Sequence, residues 1–414
     1  MHEAQEAAST TLSLSSNSEE PDAVGPGIQQ AFTNTPGGLK PMTTKIDFLY
    51  LSEPDMIEAG VLDAARCVTV CEETFSLLGK GDYLMGGANH NNHGLNIVFP
   101  KETKFPNMPV AGPDRRFAAM PGYLGGRFDV CGNKWYGSNH ANTQKGLPRS
   151  ILTMMLNDKD TGAPLALMSA NLLSAARTGA VPGVAAKRLA NKDAKVVSVV
   201  GCGPINKSCF TAIMTQLSAV EKVVCFDVFL DKANELARWV EESYKVKAVG
   251  VEDAEAGFRD VDVITVAASR LKPLFFKDEW IKEGATILVS GPVNADESFL
   301  TGCKIVYDHT ALQEAYVEDA IASGNKDAYY SGVIGGPFYR LIDAGKLPAL
   351  KDSTGLGDVV NGTKPGRESS KDRIIFIACG MAVFDISWGY ELYENAKARG
   401  IGQSLNLWDK PSMA

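Results

Sequence analysis

One segment constrains the fold of this chain more than any other. The apolar run Val196-Val197-Ser198-Val199-Val200 empties into Gly201-Cys202-Gly203-Pro204-Ile205-Asn206, after which Cys209, Ile213 and Leu217 recur at helical spacing. A strand, a glycine turn and a helix thus follow one another within about twenty residues. The first glycine permits a tight turn and the second lets the backbone approach a pyrophosphate. The helix N-terminus then offers unpaired N–H groups and a favourable dipole to that anion. Asn206 stands where the third small residue of a dinucleotide fingerprint is expected. Asp227 closes the next apolar run, Val223-Val224-Cys225-Phe226, where a ribose-binding acid belongs, and an acid there favours NAD over NADP. The competing reading is an ordinary strand-to-helix turn with Asp227 capping the segment that follows.

The surrounding sequence repeats the alternation. Strand-like runs at Lys222 to Phe226, Val261 to Val266 and Thr286 to Val289 are separated by helical patterns from about Pro204 and from Leu230, which predicts an α/β fold with a parallel sheet and crossover helices. Upstream, residues 151–156 and 165–168 flank the turn signal Asn157-Asp158-Lys159-Asp160-Thr161-Gly162 and predict a hairpin. Ile57, Val61, Leu62, Ala65, Val68 and Phe75 predict one amphipathic helix from Asp55 to about Leu78, its apolar face in the core. The Gly-, Pro- and Asn-rich stretch from Gly79 to Gly137 reads as loops with brief strands. A helix from about Met381 to Ala398 is expected to close the ordered chain. Residues 1–41 are too poor in large apolar side chains to offset their ordering entropy and are read as a disordered leader.

At 414 residues the chain is long enough for two domains. Its 41 Lys and Arg against 49 Asp and Glu give a net charge of -8, so nothing electrostatic favours nucleic acid or an anionic membrane as partner. Eight scattered cysteines without a CxxC pair suit a reducing compartment. With no long apolar stretch and no basic-then-apolar start, the cytoplasm is the expected location.

Several separate segments resemble the ornithine cyclodeaminase/mu-crystallin family, from about Lys45 to Leu407. They are Arg115-Arg116-Phe117-Ala118-Ala119-Met120-Pro121, Gly132-Asn133-Lys134-Trp135, Asn157-Asp158 with Thr161-Gly162-Ala163-Pro164-Leu165, and Ser174-Ala175-Ala176-Arg177-Thr178-Gly179-Ala180. Gly201-Cys202-Gly203 follows, then Gly366-Arg367-Glu368 and Gly380-Met381-Ala382 with Asp385. The resemblance implies a Rossmann NAD-binding domain (188–374) inserted into a discontinuous α+β substrate and dimerisation domain (42–187 with 375–414). It also implies a homodimer and hydride exchange at an amine or imine carbon of a small amino-acid-like substrate. The Gly132 to Asn142 segment and the run Met120 to Gly126 look most like a dehydrogenase branch that makes diaminopropionate precursors, and like bacterial proteins described as a non-catalytic chain of tyramine oxidase. A companion chain in an amine-oxidising complex is therefore a further candidate partner.

By the same resemblance Lys134 is the active-site lysine, able to hold a carboxylate and to donate a proton as an imine gains hydride. Arg177 is a carboxylate-gripping arginine, and Arg116 and Arg149 stand near substrate positions. Thr178, Pro204, Ile205, Ala267 and Ser269 join Gly201, Gly203 and Asp227 in the cofactor set. Each cation has a plainer reading as a solvated side chain.

The family's cyclodeaminases carry a catalytic Asp just after the strand Thr286-Ile287-Leu288-Val289-Ser290, where this chain has Gly291-Pro292-Val293-Asn294, with Asp296 the nearest acid. Its absence argues against a cyclodeaminase-type lyase and for a plain dehydrogenase or imine reductase. A non-catalytic ligand-binding protein is the remaining alternative. His90 and His93, in Asn89-His90-Asn91-Asn92-His93-Gly94, have no Cys or carboxylate cluster beside them; no metal is expected, and a polar active-site loop is the other reading.

Overall fold

The computed structural model describes residues 44–268 and 274–413, so the expectations for the 1–41 leader and for Ser269 lie outside the described residues. The architecture is α/β, built on two eight-stranded sheets that differ in how they pair. One is wholly parallel. In spatial order it runs Lys247–Val251, Lys222–Phe226, Val196–Val200, Val263–Val266, Thr286–Val289, Ile374–Ile377, Lys304–Tyr307 and Thr354–Gly355. The chain starts at Val196–Val200, builds outward on one side and then reverses to Val263–Val266 on the other. That switch point opens a crevice at the carboxyl ends of the strands, the standard ligand position of such sheets. Thr286–Val289 and Ile374–Ile377 are buried at every position, as strands covered on both faces must be.

The other sheet is mixed, in the order Gln403–Trp408, Ile46–Leu51, Pro164–Ser169, Ser150–Asn157, Val130–Ser138, Arg116–Leu124 and Tyr83–Met85, with Leu95–Val98 also pairing to Arg116–Leu124. The predicted hairpin is its Ser150–Asn157 and Pro164–Ser169 pair. Here the sequence misled in three places. Arg116–Leu124 and Val130–Ser138 are nine-residue strands paired along their whole length, not brief pieces in loops, because cross-strand pairing compensates for their glycines and proline. The single helix expected from Asp55 is two, Glu53–Glu58 and Ala64–Lys80. Ser52 and Asp55 form a capping box at the first, and Asp63 caps the second by accepting from Arg66 N. The break changes the helical phase, so Val61, Val68 and Phe75 are buried but Ile57 and Leu62 face water. Finally, the helix Ala382–Arg399 does not close the chain: Gln403–Trp408 follows it and pairs antiparallel with Ile46–Leu51.

The Ala382–Arg399 helix packs on the inner face of the mixed sheet. No helix among the described residues is long and apolar enough to cross a membrane.

Candidate active site

The cofactor cradle forms where the motif placed it. Gly201 has φ +92, and a Cβ there would lie 2.8 Å from that of Ala268, so both backbone and space demand glycine. Beside Gly203 there is open space with no atom within 4 Å. Pro204 opens the helix Pro204–Met214 in the position where its missing N–H costs nothing. Gly201, Gly203, Pro204, Ile205, Asp227 and Ala267 all line one cavity of about 560 Å³, which Lys207, Phe229, Lys232 and Trp239 enclose from the other side. The Asp227 carboxylate accepts from Cys202 N (2.9 Å) and Phe229 N (3.1 Å), which fixes it at the rim of that cavity. A glycine turn with an open approach, a helix N-terminus and an acid at the next strand end fits the pyrophosphate and ribose of NAD.

Asn206, the departure from the fingerprint, has a structural cause. Its fully buried side chain donates from Nδ2 to the carbonyls of Val200 (2.9 Å), Gly201 (3.0 Å) and Thr265 (3.2 Å), while its Oδ1 accepts from Thr265 Oγ1 (2.8 Å). Where a glycine would bring helix and strand together by having no side chain, this asparagine ties them by hydrogen bonds.

The charged centre lies between the mixed sheet and two helices. Gly122 and Gly132 face each other across neighbouring strands, and a Cβ on either would press on Ile386, at 3.1 and 2.9 Å. The two glycines let the Ala382–Arg399 helix settle close to the sheet, which brings Asp385 onto Lys134. Lys134 is 3% exposed and points inward from Val130–Ser138; its Nζ donates to Asp385 Oδ2 at 2.8 Å and to Ser174 Oγ at 3.4 Å. Arg177, 6% exposed on Asn171–Leu189, places Nε 3.0 Å from Asp385 Oδ1. That approach is a charge contact whose angle leaves both atoms with unused hydrogen-bonding capacity.

Two buried cations on one buried carboxylate leave an excess positive charge. Burial opposes ionisation of Asp385, but Arg177 and Lys134 outweigh it and hold the carboxyl below the usual range. Desolvation, aided by the Arg177 charge, lowers Lys134 to about 8 despite Asp385. The site therefore offers a guanidinium with spare donors for an anion and an amine that exchanges its proton near neutral pH.

The loop before Leu95–Val98 reaches this centre. His93 Nδ1 lies 2.9 Å from the carbonyl of Gly380, and Gly380 in turn backs the Arg177 guanidinium, 3.1 Å from Nη1 to where a Cβ would stand. Desolvation and the charge of Lys134 lower His93 to about 4, so the ring is neutral. Asp308, buried at the end of Lys304–Tyr307, accepts from the amides of Cys379 (2.6 Å) and Gly380 (3.2 Å) and so fixes the Gly380 segment. Arg116 lies on the same inward face but pairs with Asp114, as does Arg149 at 3.2 Å. The structure thus brings Lys134 and Arg177 to one carboxylate and Arg116 and Arg149 to another. Thr178, half-buried, follows Arg177 on the same helix. No acid stands at the Gly291 turn, and Asp296 is exposed at the start of Glu297–Gly302. His90 is exposed, and no group of three or more metal-capable side chains occurs among the described residues.

Sequence reasoning missed Asp385 and Asp308 as parts of the site and left His93 undecided. A signal existed for Asp385: a lone acid inside Ala382-Val383-Phe384-Asp385-Ile386-Ser387-Trp388 is surrounded by core residues and needs a cation. For His93 there was none, because only the fold brings its loop against Gly380.

Comparison with known proteins agrees with this geometry. The model of the ornithine cyclodeaminase/mu-crystallin family matches residues 61–400. The N-((2S)-2-amino-2-carboxyethyl)-L-glutamate dehydrogenase of Staphylococcus aureus is 30% identical over 87% of this chain and 99% of its own length. The alanine dehydrogenase of Archaeoglobus fulgidus is 32% identical over 70% of this chain and 83% of its own. Among solved structures, the Thermococcus litoralis Delta(1)-pyrroline-2-carboxylate reductase in complex with NADH and L-proline superposes with a TM-score of 0.71 at 26% identity, covering 86% of this chain and all of that one.

Proposed function

The chain belongs to the ornithine cyclodeaminase/mu-crystallin family and is an NAD(H)-dependent oxidoreductase acting on amino-acid or imine C–N bonds, and from that premise we propose how its own residues divide the work. Bound NAD supplies the hydride acceptor or donor. Arg177 holds the substrate carboxylate with the donors that Asp385 leaves free. Lys134 exchanges the proton: its neutral amine takes one from the substrate ammonium as the C–N bond is oxidised, and its ammonium returns one on reduction. Asp385 positions both cations and keeps their excess charge to one. Thr178 faces the cofactor phosphates, and Arg116 and Arg149 border the substrate. The observation that carries this reading is the buried Lys134–Asp385–Arg177 centre beside the carboxyl edge of the parallel sheet.

Within the family we place the chain in the dehydrogenase branch that makes diaminopropionate precursors, supported by the near-complete span of the staphylococcal relative. A cyclodeaminase-type lyase is disfavoured by the Gly291-Pro292 turn, which has no carboxylate. The proposal includes a homodimer, which the outer face of the mixed sheet favours: Phe117, Trp135, Ile151 and Met155 are exposed there, with Phe117 stacked on Trp135 at 5.6 Å. A cytoplasmic setting is favoured by eight cysteines that are all free thiols.

The test is NADH formation by the purified protein with a panel of amino acids and amines that includes alanine, ornithine, tyramine and N-(2-amino-2-carboxyethyl)glutamate, together with the reverse assay on oxo acid and amine pairs. Substrate-dependent turnover that Lys134→Ala abolishes is the expected result. Tight NADH binding without turnover on any member would overturn it in favour of a ligand-binding role or of a companion chain in an amine-oxidising complex.

A further inference from the structure

We propose that His93 is a substrate-recognition residue of this site, presenting its Nε2 lone pair as a fixed acceptor for the N–H of the substrate's α-nitrogen while Arg177 holds the adjoining carboxylate. The proposal rests on the function assigned above and goes beyond it.

A carbonyl oxygen only accepts, so the 2.9 Å contact with the Gly380 carbonyl requires the proton on Nδ1. In the neutral ring Nε2 is then an acceptor, and which nitrogen carries the proton is settled by one backbone atom. That backbone atom is itself held in place. Asp308 accepts from the Gly380 amide, and the Arg177 guanidinium packs against the Gly380 Cα on another side. Gly380 is thus the shared wall between the imidazole and the guanidinium. The carboxylate and nitrogen of an α-amino acid are separated by a single carbon, so a molecule anchored on Arg177 carries its nitrogen toward the neighbouring group on that wall.

Charge favours the same arrangement. Lys134 and Arg177 repel protonation of the ring, which keeps the lone pair available across the neutral range. A neutral acceptor beside two cations is what a substrate N–H requires, since further cations would repel an ammonium and a second carboxylate would compete for Arg177. Tyr316 packs beside the ring at 6.2 Å between centroids, and the His93 loop is anchored at two points: Asn89 Nδ2 donates to Glu318 (2.7 Å) and Asn92 Nδ2 donates to Asp319 (3.2 Å). The acceptor is therefore preorganised on a loop pinned to the Thr310–Ala322 helix.

The experiment compares His93→Asn and His93→Gln in otherwise intact protein. Asparagine keeps a donor for the Gly380 carbonyl and removes the distal acceptor; glutamine places an amide oxygen close to where Nε2 stands. The expected result on the best substrate of the panel is a fall in kcat/KM of about 10- to 100-fold for His93→Asn, as for loss of one hydrogen bond to a charged group. His93→Gln should recover most of it, with NADH affinity unchanged in both. Wild-type kcat/KM in His93→Asn would overturn the proposal by showing that the ring only braces Gly380. Nitrogen NMR of the labelled imidazole gives a readout independent of turnover: a neutral ring protonated at Nδ1 at pH 7 supports the assignment, and an imidazolium or the opposite tautomer overturns it. Where His93 carries the expected tautomer and the wild type binds NADH but turns over nothing, the assigned function fails and its extension to His93 falls with it.

Discussion

At the scale of single residues, the excess charge at Asp385 governs what the site does. Lys134 is lowered to about 8, which ties turnover to pH in opposite senses for the two directions. Amine oxidation needs the neutral lysine, so kcat/KM should climb to a plateau above about pH 8; imine reduction needs the ammonium and should stay level below about pH 8 and fall above it. Steady-state pH profiles in both directions check this, and parallel profiles would remove Lys134 from proton transfer. Because Asp385 raises the Lys134 value, Asp385→Asn should move both inflections to lower pH. It also leaves two buried cations facing each other, a change expected to cost about 3–5 kcal/mol of stability, measurable by urea denaturation with the chain held as the same oligomer. Lys134 and Arg177 could be singled out in the sequence by their motifs. Asp385 could have been, as an acid among core residues, whereas His93 could not: an imidazole in an Asn- and Gly-rich loop has the same local signature whether it faces water or Arg177.

At the scale of elements, the strand-turn-helix at Val196–Met214 was legible because its chemistry is local. Gly201 is fixed by its own φ and by Ala268, and Gly201→Ala should weaken NADH binding by at least about tenfold, since placing a side chain in such a conformation costs on the order of 1–3 kcal/mol. Fluorescence titration with NADH reads the loss, and an unchanged affinity would mean the turn relaxes freely. Asn206 looked like a defect in the same motif and proves to be its tie. Asn206→Ala should destabilise the protein by about 1–3 kcal/mol through the Thr265 hydroxyl and the carbonyls it leaves unpaired. Thermal melts in the presence and absence of NADH would show whether the loss is in the fold or only in the cradle. The nine-residue strands Arg116–Leu124 and Val130–Ser138 were misread for the opposite reason: Gly122, Gly132 and Pro121 signal loops locally, yet those glycines exist to admit Ile386 from a helix more than 250 residues away.

At the scale of the whole molecule, the mixed sheet has an inner face that carries Lys134 and an outer face that leaves Trp135 exposed, so successive residues of one strand serve the site and the surface. If two copies associate through the outer face, Trp135→Glu should convert a dimer to a monomer in light scattering while leaving NADH binding intact; a dimer that survives places the interface elsewhere. The alternation of strands and helices from Val196 onward specified the parallel sheet, because periodicity and turn chemistry are written in neighbouring residues, and the same stretch carried the cofactor through Gly201, Gly203 and Asp227. What the sequence could not specify was which distant groups would share a volume. Asp385 meets Lys134 across 251 positions, and His93 meets Gly380 across 287. Those encounters depend on two glycines thin enough to admit a helix and on Asp308 holding a backbone segment in place, and such packing is decided only when the elements assemble.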